Sequence, residues 1–531
     1  MKNLIKESKG TLVYFLPLSL LLSFLFWKSL SFPLHDFANS YFPAHIITNS
    51  NTPETILFDI YEFNSYIWDL GYDEVLADFY LNSPFNTVAF YPFSLIDNAY
   101  LAKAIFNGLC SFLFLLAMYC LYKRFGKKTL FLIVAIPILF YIPLRNQILF
   151  GQTYFLVFVL VVFGFLWIER HKNIYGGLAL VFAVALKIFP VIYGIPLLVK
   201  KQWKALLMTF GLGVILLAIS IWFTGITLWE TYFFEVLPNA IKNKSTVNFQ
   251  YNAQSIDVFL KTLFIQDAYY NPAAVFDNER LFFIIKWLLK SVIIGVAVSL
   301  SFSNKKNLFA LLSIWVVALF LMQSRTATYA QVLWIIPAFY IFSSKLHIYK
   351  QIGFFAVLFV MCNLPLSSLK ELPLFFKFSR LWLTIILAIL FYSSFNKKVN
   401  YKYIGLGLLI LLPLHLDLFS HQQNNHSEYV LEEKKYFMIY DFENDNNTLT
   451  YKALGKGGRI VEKTNIKLTN FDTDSYTIEN NQITHNGLQI TNDPSLKKKP
   501  VLVNDCEVYY LTDSKSRRGA FTIKKINICN L

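Results

Sequence analysis

The chain has 531 residues, of which 56% are hydrophobic and 18% aromatic. This composition excludes an ordinary soluble protein and indicates a membrane protein with many spans. The net charge of +15 would suggest a nucleic-acid partner in a soluble protein. Here the basic residues form short clusters between apolar runs, so membrane orientation explains them and we expect no nucleic-acid partner.

The first apolar run covers residues 11–32 and follows Lys2, Lys6 and Lys9, which predict a cytoplasmic N-terminus. We expect this run to be retained as a span, because no small-residue cleavage site follows it. It delivers Asp36 to the outer face. Residues 29–102 contain no Lys or Arg but nine acidic residues, so they lie outside the cytoplasm. We interpret residues 33–98 as an outer loop with short amphipathic helices on the membrane surface.

Further apolar runs alternate with basic clusters along the rest of the first 420 residues. The run 174–199 has basic clusters at both ends, so it must turn back on itself. Pro190 disfavours a continuous helix, which predicts two short helices with Lys187 at their outer tip. Short helices are tolerated where protein and water surround their ends. The remaining runs cover residues 100–122, 130–144, 155–168, 205–223, 281–302, 308–322, 332–342, 352–364, 381–395 and 404–419. The fold class is therefore a polytopic α-helical membrane protein with about 13 transmembrane helices.

The composition changes after His421, where short alternating runs are separated by Asn, Asp and Gly. We predict two domains: a transmembrane domain over residues 1–420 and a small all-β domain over residues 421–531. An odd number of spans places the β domain outside the cytoplasm. Cys506 and Cys529 could pair in that oxidising compartment, or remain two lone thiols.

Several stretches of this sequence resemble glycosyltransferase family 87. They are Asp36-Phe37 with Tyr41, Gly151-Gln152-Thr153-Tyr154, Tyr175-Gly176-Gly177-Leu178-Ala179-Leu180, Lys187-Ile188-Phe189-Pro190, Lys200-Lys201-Gln202-Trp203-Lys204 and Asn252-Ala253-Gln254-Ser255. The resemblance covers roughly residues 10–395. It implies a GT-C class fold and transfer of mannose from a polyprenyl-phosphate sugar. The stretch Ser324–Gln331 departs from the family pattern, because it lacks the histidines expected there.

The chemistry that this resemblance implies needs one base and several cations. Asp36 is the candidate general base, since a carboxylate at a membrane boundary is a functional candidate; it could instead cap a short helix. A polyprenyl phosphate leaves as an anion, so cations stabilise it. The candidate phosphate ligands at outer span ends are Lys187, Arg145, Arg325 and Arg380, although each could instead snorkel to lipid headgroups. The candidate substrate-binding residues are Tyr41, Gln152, Asn252, Gln254 and Tyr329.

We therefore expect an inverting hexosyltransferase of the plasma membrane, with its active site outside the cytoplasm. Its partners would be a polyprenyl-phosphate sugar, a lipid or glycan acceptor and the membrane. We expect no metal and no cofactor, since the chain has neither a glycine-rich phosphate loop nor a metal-ligand cluster in its membrane portion. A transporter or flippase of lipid-linked glycans, or a polymerase, would share this topology. The absence of an evident internal duplication favours the enzyme over the transporter.

Overall fold

The computed structural model describes residues 10–80, 82–241, 251–266, 271–395, 399–413, 428–429, 436–445, 448–455, 460–467, 476–514 and 518–530. The described chain is mostly helical up to residue 411, and strands follow from residue 428. The α-helices are Leu16–Ser29, Ala38–Asn49, Pro53–Ile56, Ile60–Asp69, Phe85–Ser94, Ala99–Phe125, Thr129–Leu139, Tyr141–Phe150, Tyr154–Glu169, Asn173–Leu186, Gly194–Val199, Trp203–Thr224, Ile226–Thr231, Leu237–Ile241, Ile256–Phe264, Glu279–Ser303, Leu308–Met322, Ile335–Ser343, Ile348–Asn363, Leu374–Lys377, Ser379–Ser393 and Lys402–Leu411.

Each predicted apolar run overlaps an apolar helix or helix pair, and the end of the run 404–419 lies outside the described residues. Among the described residues, three helices are long and apolar enough to cross a membrane by themselves, namely Ala99–Phe125, Trp203–Thr224 and Glu279–Ser303. The predicted run 130–144 is a pair of helices, Thr129–Leu139 and Tyr141–Phe150, bent by 66°. The other runs are apolar helices of 10–17 residues, shorter than the roughly 20 residues that span a bilayer unaided. A multi-pass membrane protein is thus supported, and the number of spans stays a prediction.

The chain reverses between residues 187 and 202, as the basic clusters around this run predict. The helices Asn173–Leu186 and Trp203–Thr224 pack side by side. A methyl group on Gly177 would lie 3.0 Å from the Thr209 nitrogen, and one on Gly213 would lie 3.9 Å from Val181. Residue numbers therefore rise together along both helices, so the two helices are parallel. The segment between them must return the chain to the side on which it started.

The predicted alternation of apolar runs and basic clusters places certain helix ends on the same side of the membrane. These helix ends lie close together in the structure. At one end of the bundle, Arg124 Nε lies 2.6 Å from Glu169 Oε2. At the same end, Phe125 packs on Phe309 and Phe339, with ring centroids 5.5 and 5.9 Å apart. The Asp36 loop and the turn at residue 187 lie together at the other end. The contacts agree with the alternating topology.

The C-terminal region is all β in its described parts. The strands are β1 (Glu428–Tyr429), β2 (Tyr436–Asp445), β3 (Thr448–Gly455), β4 (Ile460–Lys467), β5 (Tyr476–Glu479), β6 (Gln482–His485), β7 (Leu488–Gln489), β8 (Lys497–Asn504), β9 (Glu507–Thr512) and β10 (Thr522–Asn527). They form antiparallel sheets in the orders β1-β10-β9-β8, β2-β3-β4 and β5-β6-β7. Cys506 and Cys529 form a disulfide, as one of the two alternatives predicted. The predicted domain boundary at residue 420 lies outside the described residues.

Candidate active site

A polar cavity of about 190 Å³ lies where several loops of one end of the bundle converge. It is lined by Asp36, Asn39, Ser40, Asp78, Asn82, Gly151, Gln152, Thr153, Lys187 and Tyr329. Four of these are residues that the sequence singled out: Asp36, Gln152, Lys187 and Tyr329. The structure therefore brings the candidate base, one candidate phosphate ligand and two candidate substrate-binding residues into one site.

Asp36 is held in a 3₁₀ turn, His35–Phe37, which follows the first apolar helix and Pro33. Gln152 Nε2 donates a hydrogen bond to Asp36 Oδ2. His35 Nδ1 lies 3.2 Å from Asp36 Oδ1, and 24% of the Asp36 side chain remains exposed. The carboxylate is therefore oriented by neighbours while one part of it still faces the cavity, which suits a group that exchanges protons with a bound molecule.

The Gln152 turn requires a glycine beside it. Gly151 ends the helix Tyr141–Phe150 in the left-handed conformation, with φ of 65°. A methyl group on Gly151 would lie 2.7 Å from Phe37 Cβ, closer than any real contact. Glycine both adopts this backbone conformation without penalty and lets the two loops touch. The contact places the Gln152 amide beside the Asp36 carboxylate.

Lys187 lies at the break between two short helices, as the proline pattern predicts. The helix Asn173–Leu186 ends there, and Lys187 itself is extended, with φ of −147° and ψ of 130°. Its ammonium donates a 2.8 Å hydrogen bond to Asn82 Oδ1 and lies 6.0 Å from the Tyr154 ring centroid. An ammonium has three donors. Since Lys187 lines the cavity, it can offer a donor to an anion bound there.

A second carboxylate, Asp78, faces the same cavity from the outer loop. Its backbone nitrogen donates to Asn39 Oδ1 at 2.7 Å, and its Oδ1 accepts from the Tyr80 nitrogen at 3.2 Å. Asn64 fixes the preceding residue, Ala77, by two hydrogen bonds of 2.8 and 2.9 Å. Sequence reasoning missed Asp78 and Asn82, because the acidic residues of this loop were interpreted as an orientation signal and the loop itself as amphipathic helices on the membrane surface.

Two other predicted residues belong to a polar network next to the cavity. The predicted stretches 252–255 and 324–331 meet, since Thr326 Oγ1 donates to the Ala253 carbonyl at 2.8 Å. Gln254 Oε1 accepts from the Arg380 nitrogen at 3.2 Å. The Arg380 guanidinium is buried and donates to Thr328 Oγ1 at 2.9 Å, one residue before the cavity residue Tyr329. These contacts make Gln254 and Arg380 supports of the cavity wall.

The remaining predicted residues do not line the cavity in the described part of the chain. They are Tyr41, Arg145, Asn252 and Arg325. Tyr41 is buried and donates to the Ile96 carbonyl at 2.7 Å. Burial, with smaller contributions from Tyr72 and Asp97, raises the pKa of Tyr41 to about 12, so it stays a neutral donor. Arg145 and Asn252 are exposed.

Lys103 is a buried cation beneath the site, and sequence reasoning missed this residue as well. It lies within the helix Ala99–Phe125 and is 1% exposed. Its ammonium donates to the carbonyls of Pro33 at 2.6 Å and Leu149 at 2.7 Å. These carbonyls lie just before the Asp36 and Gln152 loops. Lys103 therefore ties both loops to one helix, and it is a positioning residue for the pair that they carry.

An apolar groove of about 480 Å³ lies on the other side of the Lys187 break. Its lining includes Leu180, Val184, Phe210, Gly213, Leu217, Trp229, Tyr232 and Phe233. The groove and the cavity share a wall, because Ser83 and Ile188 line the groove while their chain neighbours Asn82 and Lys187 line the cavity. Ser83 Oγ closes this wall by donating to the Ala185 carbonyl at 2.6 Å. The apolar groove thus lies on one side of this wall, and the cavity that Lys187 lines lies on the other.

Residues 80–324 match the model of glycosyltransferase family 87. Residues 80–324 therefore form a region of this glycosyltransferase family. The match confirms the family indicated by the sequence motifs, over a narrower range than the roughly 10–395 expected, and the protein is a glycosyltransferase. Asn82, Gln152 and Lys187 lie within the matched residues, whereas Asp36, Asp78 and Tyr329 lie outside them. No curated protein and no solved structure matches the chain.

We predict that Lys103→Met lowers kcat for glycosyl transfer by about 100-fold, because a displacement of about 1 Å in a catalytic group has an effect of this size. Steady-state kinetics on the purified variant checks this. Lys123→Met is the matched control, because Lys123 lies on the same helix at its opposite end and is exposed. Equal kcat values for Lys103→Met and the control would contradict the positioning role.

Proposed function

We propose that this glycosyltransferase moves a hexose, mannose in the first instance, from a polyprenyl-phosphate donor to a hydroxyl of a lipid-linked or surface glycan. One observation carries the proposal: a polar cavity with a carboxylate and an ammonium shares a wall with an apolar groove. The cavity offers partners for a sugar and a phosphate. The groove offers a surface on which a polyprenyl chain can bury apolar area.

The proposed reaction is a single displacement with inversion. The acceptor oxygen attacks the anomeric carbon of the donor, and Asp36 takes the proton of that hydroxyl as general base. The new carbon–oxygen bond forms while the bond from the anomeric carbon to the phosphate oxygen breaks. Polyprenyl phosphate leaves as an anion, and Lys187 stabilises the charge that develops on it. Gln152 orients Asp36, and Tyr329 forms part of the wall around the sugar.

We further propose that the protein lies in the plasma membrane, with the cavity and the β domain (residues 421–531) outside the cytoplasm and a transmembrane domain over residues 1–420. The basic clusters of the predicted inside loops support this orientation. The Cys506–Cys529 disulfide supports it as well, since disulfides persist in oxidising compartments. The match to a transferase family favours this function over the transporter, flippase or polymerase alternatives.

We predict that Asp36→Asn lowers kcat by roughly 10²- to 10⁴-fold, the typical contribution of a general base. Asp78→Asn is the matched control, because it removes the other carboxylate of the same cavity. We expect Asp78→Asn to affect KM more than kcat. The assay uses purified protein, radiolabelled polyprenyl-phosphate mannose and a membrane extract as acceptor. A large loss of kcat in Asp78→Asn together with near-normal turnover in Asp36→Asn would contradict the assignment and show that Asp78 is the general base.

We predict that Gly213→Trp raises KM for a long-chain polyprenyl-phosphate donor about tenfold or more, because the indole fills the groove. Gly213 lines the groove, and a methyl group there would meet only Val181, at 3.9 Å. Gly211→Trp is the control, since Gly211 lies on the same helix and nothing lies within 4 Å of its added methyl group. A donor with a short isoprenyl chain should show a smaller difference between the variants. Identical KM values for both variants with the long-chain donor would refute lipid binding in this groove.

A further inference from the structure

The C-terminal β region contacts the outer loop through a short segment that we call the docking loop, residues 518–521. The Arg518 carbonyl accepts a hydrogen bond from the Ile60 nitrogen at 3.5 Å. Ile60 and Ala520 are buried against each other. The rings of Tyr61 and Phe521 meet edge to face, with centroids 5.5 Å apart. The docking loop therefore packs on the first turn of the helix Ile60–Asp69.

A glycine allows this close approach. Gly519 has a φ of +76°, and a methyl group on it would lie 2.6 Å from the Ile60 nitrogen. Its own nitrogen donates to Asp513 Oδ2 at 3.1 Å. The backbone of the β region thus lies directly against the backbone of the outer loop, an approach that a side chain at this position would prevent.

Two ion pairs surround this contact and connect the β region to two different elements. Lys498 pairs with Glu62 on the helix Ile60–Asp69, and its ammonium lies 4.6 Å from the Tyr61 ring centroid. Arg518 Nη1 lies 3.1 Å from Glu235 Oε2. Glu235 belongs to the π-helical turn Tyr232–Val236. The β region therefore joins the outer loop to this turn.

The helix Ile60–Asp69 supports the cavity wall, and the π-helical turn forms part of the groove wall. Asn64, on the helix Ile60–Asp69, fixes Ala77 next to the cavity residue Asp78. Tyr232, in the π-helical turn, lines the apolar groove. Phe58, just before the helix, stacks on Tyr232 with ring centroids 6.3 Å apart. A change in docking would consequently move the cavity wall and the groove wall relative to each other.

We propose that the C-terminal β region is a brace, whose docking on Glu62 and Glu235 holds the cavity wall and the groove wall in the arrangement that binds the lipid-linked donor. The proposal rests on the proposed function of that site. The brace acts through position and contributes no group to the reaction. Its removal from the docked position should therefore weaken donor binding more than it slows the chemical step.

Charge reversal tests the brace in the full-length protein. The variants are Lys498→Glu, Glu62→Lys and the double variant Lys498→Glu/Glu62→Lys. Hydrogen–deuterium exchange over residues 59–64 reports docking without depending on activity, and steady-state kinetics reports KM and kcat. We expect each single reversal to speed exchange and raise donor KM about 3- to 10-fold with kcat changed less, since the lost pair is partly exposed. The double variant should restore both readouts.

Lys525→Glu is the matched control, because Lys525 pairs with Glu507 inside the β region, with Nζ 2.9 Å from Oε1. It should leave both the exchange over residues 59–64 and donor KM unchanged. Faster exchange with unchanged KM in the single variants would overturn the brace. Unchanged exchange in them would overturn the docking itself, and failure of the double variant to restore both readouts would overturn the role of the Lys498–Glu62 pair in the brace. If the wild-type enzyme fails to use the lipid donor, the proposed function fails, while the exchange measurement still decides docking.

Discussion

The ammonium of Lys187 at the border between a polar cavity and an apolar groove is the constraint on which the site depends. A charge at membrane depth is costly unless it is paired or faces water. Here the Lys187 ammonium donates a hydrogen bond to Asn82, and Lys187 also lines the polar cavity. This arrangement requires the chain to break after Leu186 and to return toward the side on which the helix began. A donor with an apolar tail and an anionic phosphate matches the two environments that meet at this lysine.

Three loops must keep a fixed relation to this lysine for the site to work. The Asp36 loop touches the Gly151 turn so closely that no side chain fits between them. Lys103 binds the carbonyls just before both loops, so one buried charge coordinates the two segments. The Asp78 segment belongs to the outer loop and is anchored by Asn64. The β region contacts the same loop through Ile60 and Glu62, which connects it mechanically to the proposed donor site.

The local features of this fold could be predicted from the sequence, and the long-range ones could not. Apolar runs between basic clusters identified the helices, because hydrophobic length and charge bias act locally. Pro190 located the break beside Lys187. Lys103 was missed, since it is one charge inside a long apolar helix whose hydrogen-bond partners lie 46 and 70 residues away along the chain.

Some features of the candidate site could likewise be predicted from the sequence, and others could not. Position at a predicted outer span end selected Asp36 and Lys187, whereas Gln152 and Tyr329 belong to the motif stretches; the four line one cavity in the structure. The span-end criterion also selected Arg145 and Arg380. The first is exposed, and the second is buried in the network beside the cavity. Position along a span sets depth in the membrane, but the direction of a side chain depends on helix packing, which a single sequence does not specify.

The most direct test of this account is an electron cryomicroscopy structure of the purified protein with bound polyprenyl phosphate, the leaving group of the proposed reaction. The account predicts a phosphate oxygen about 3 Å from Lys187 Nζ, at hydrogen-bond distance. It also predicts isoprenyl density along the groove between Leu180 and Phe210. A phosphate bound at Arg145, Arg325 or Arg380 instead, with the groove empty, would contradict it.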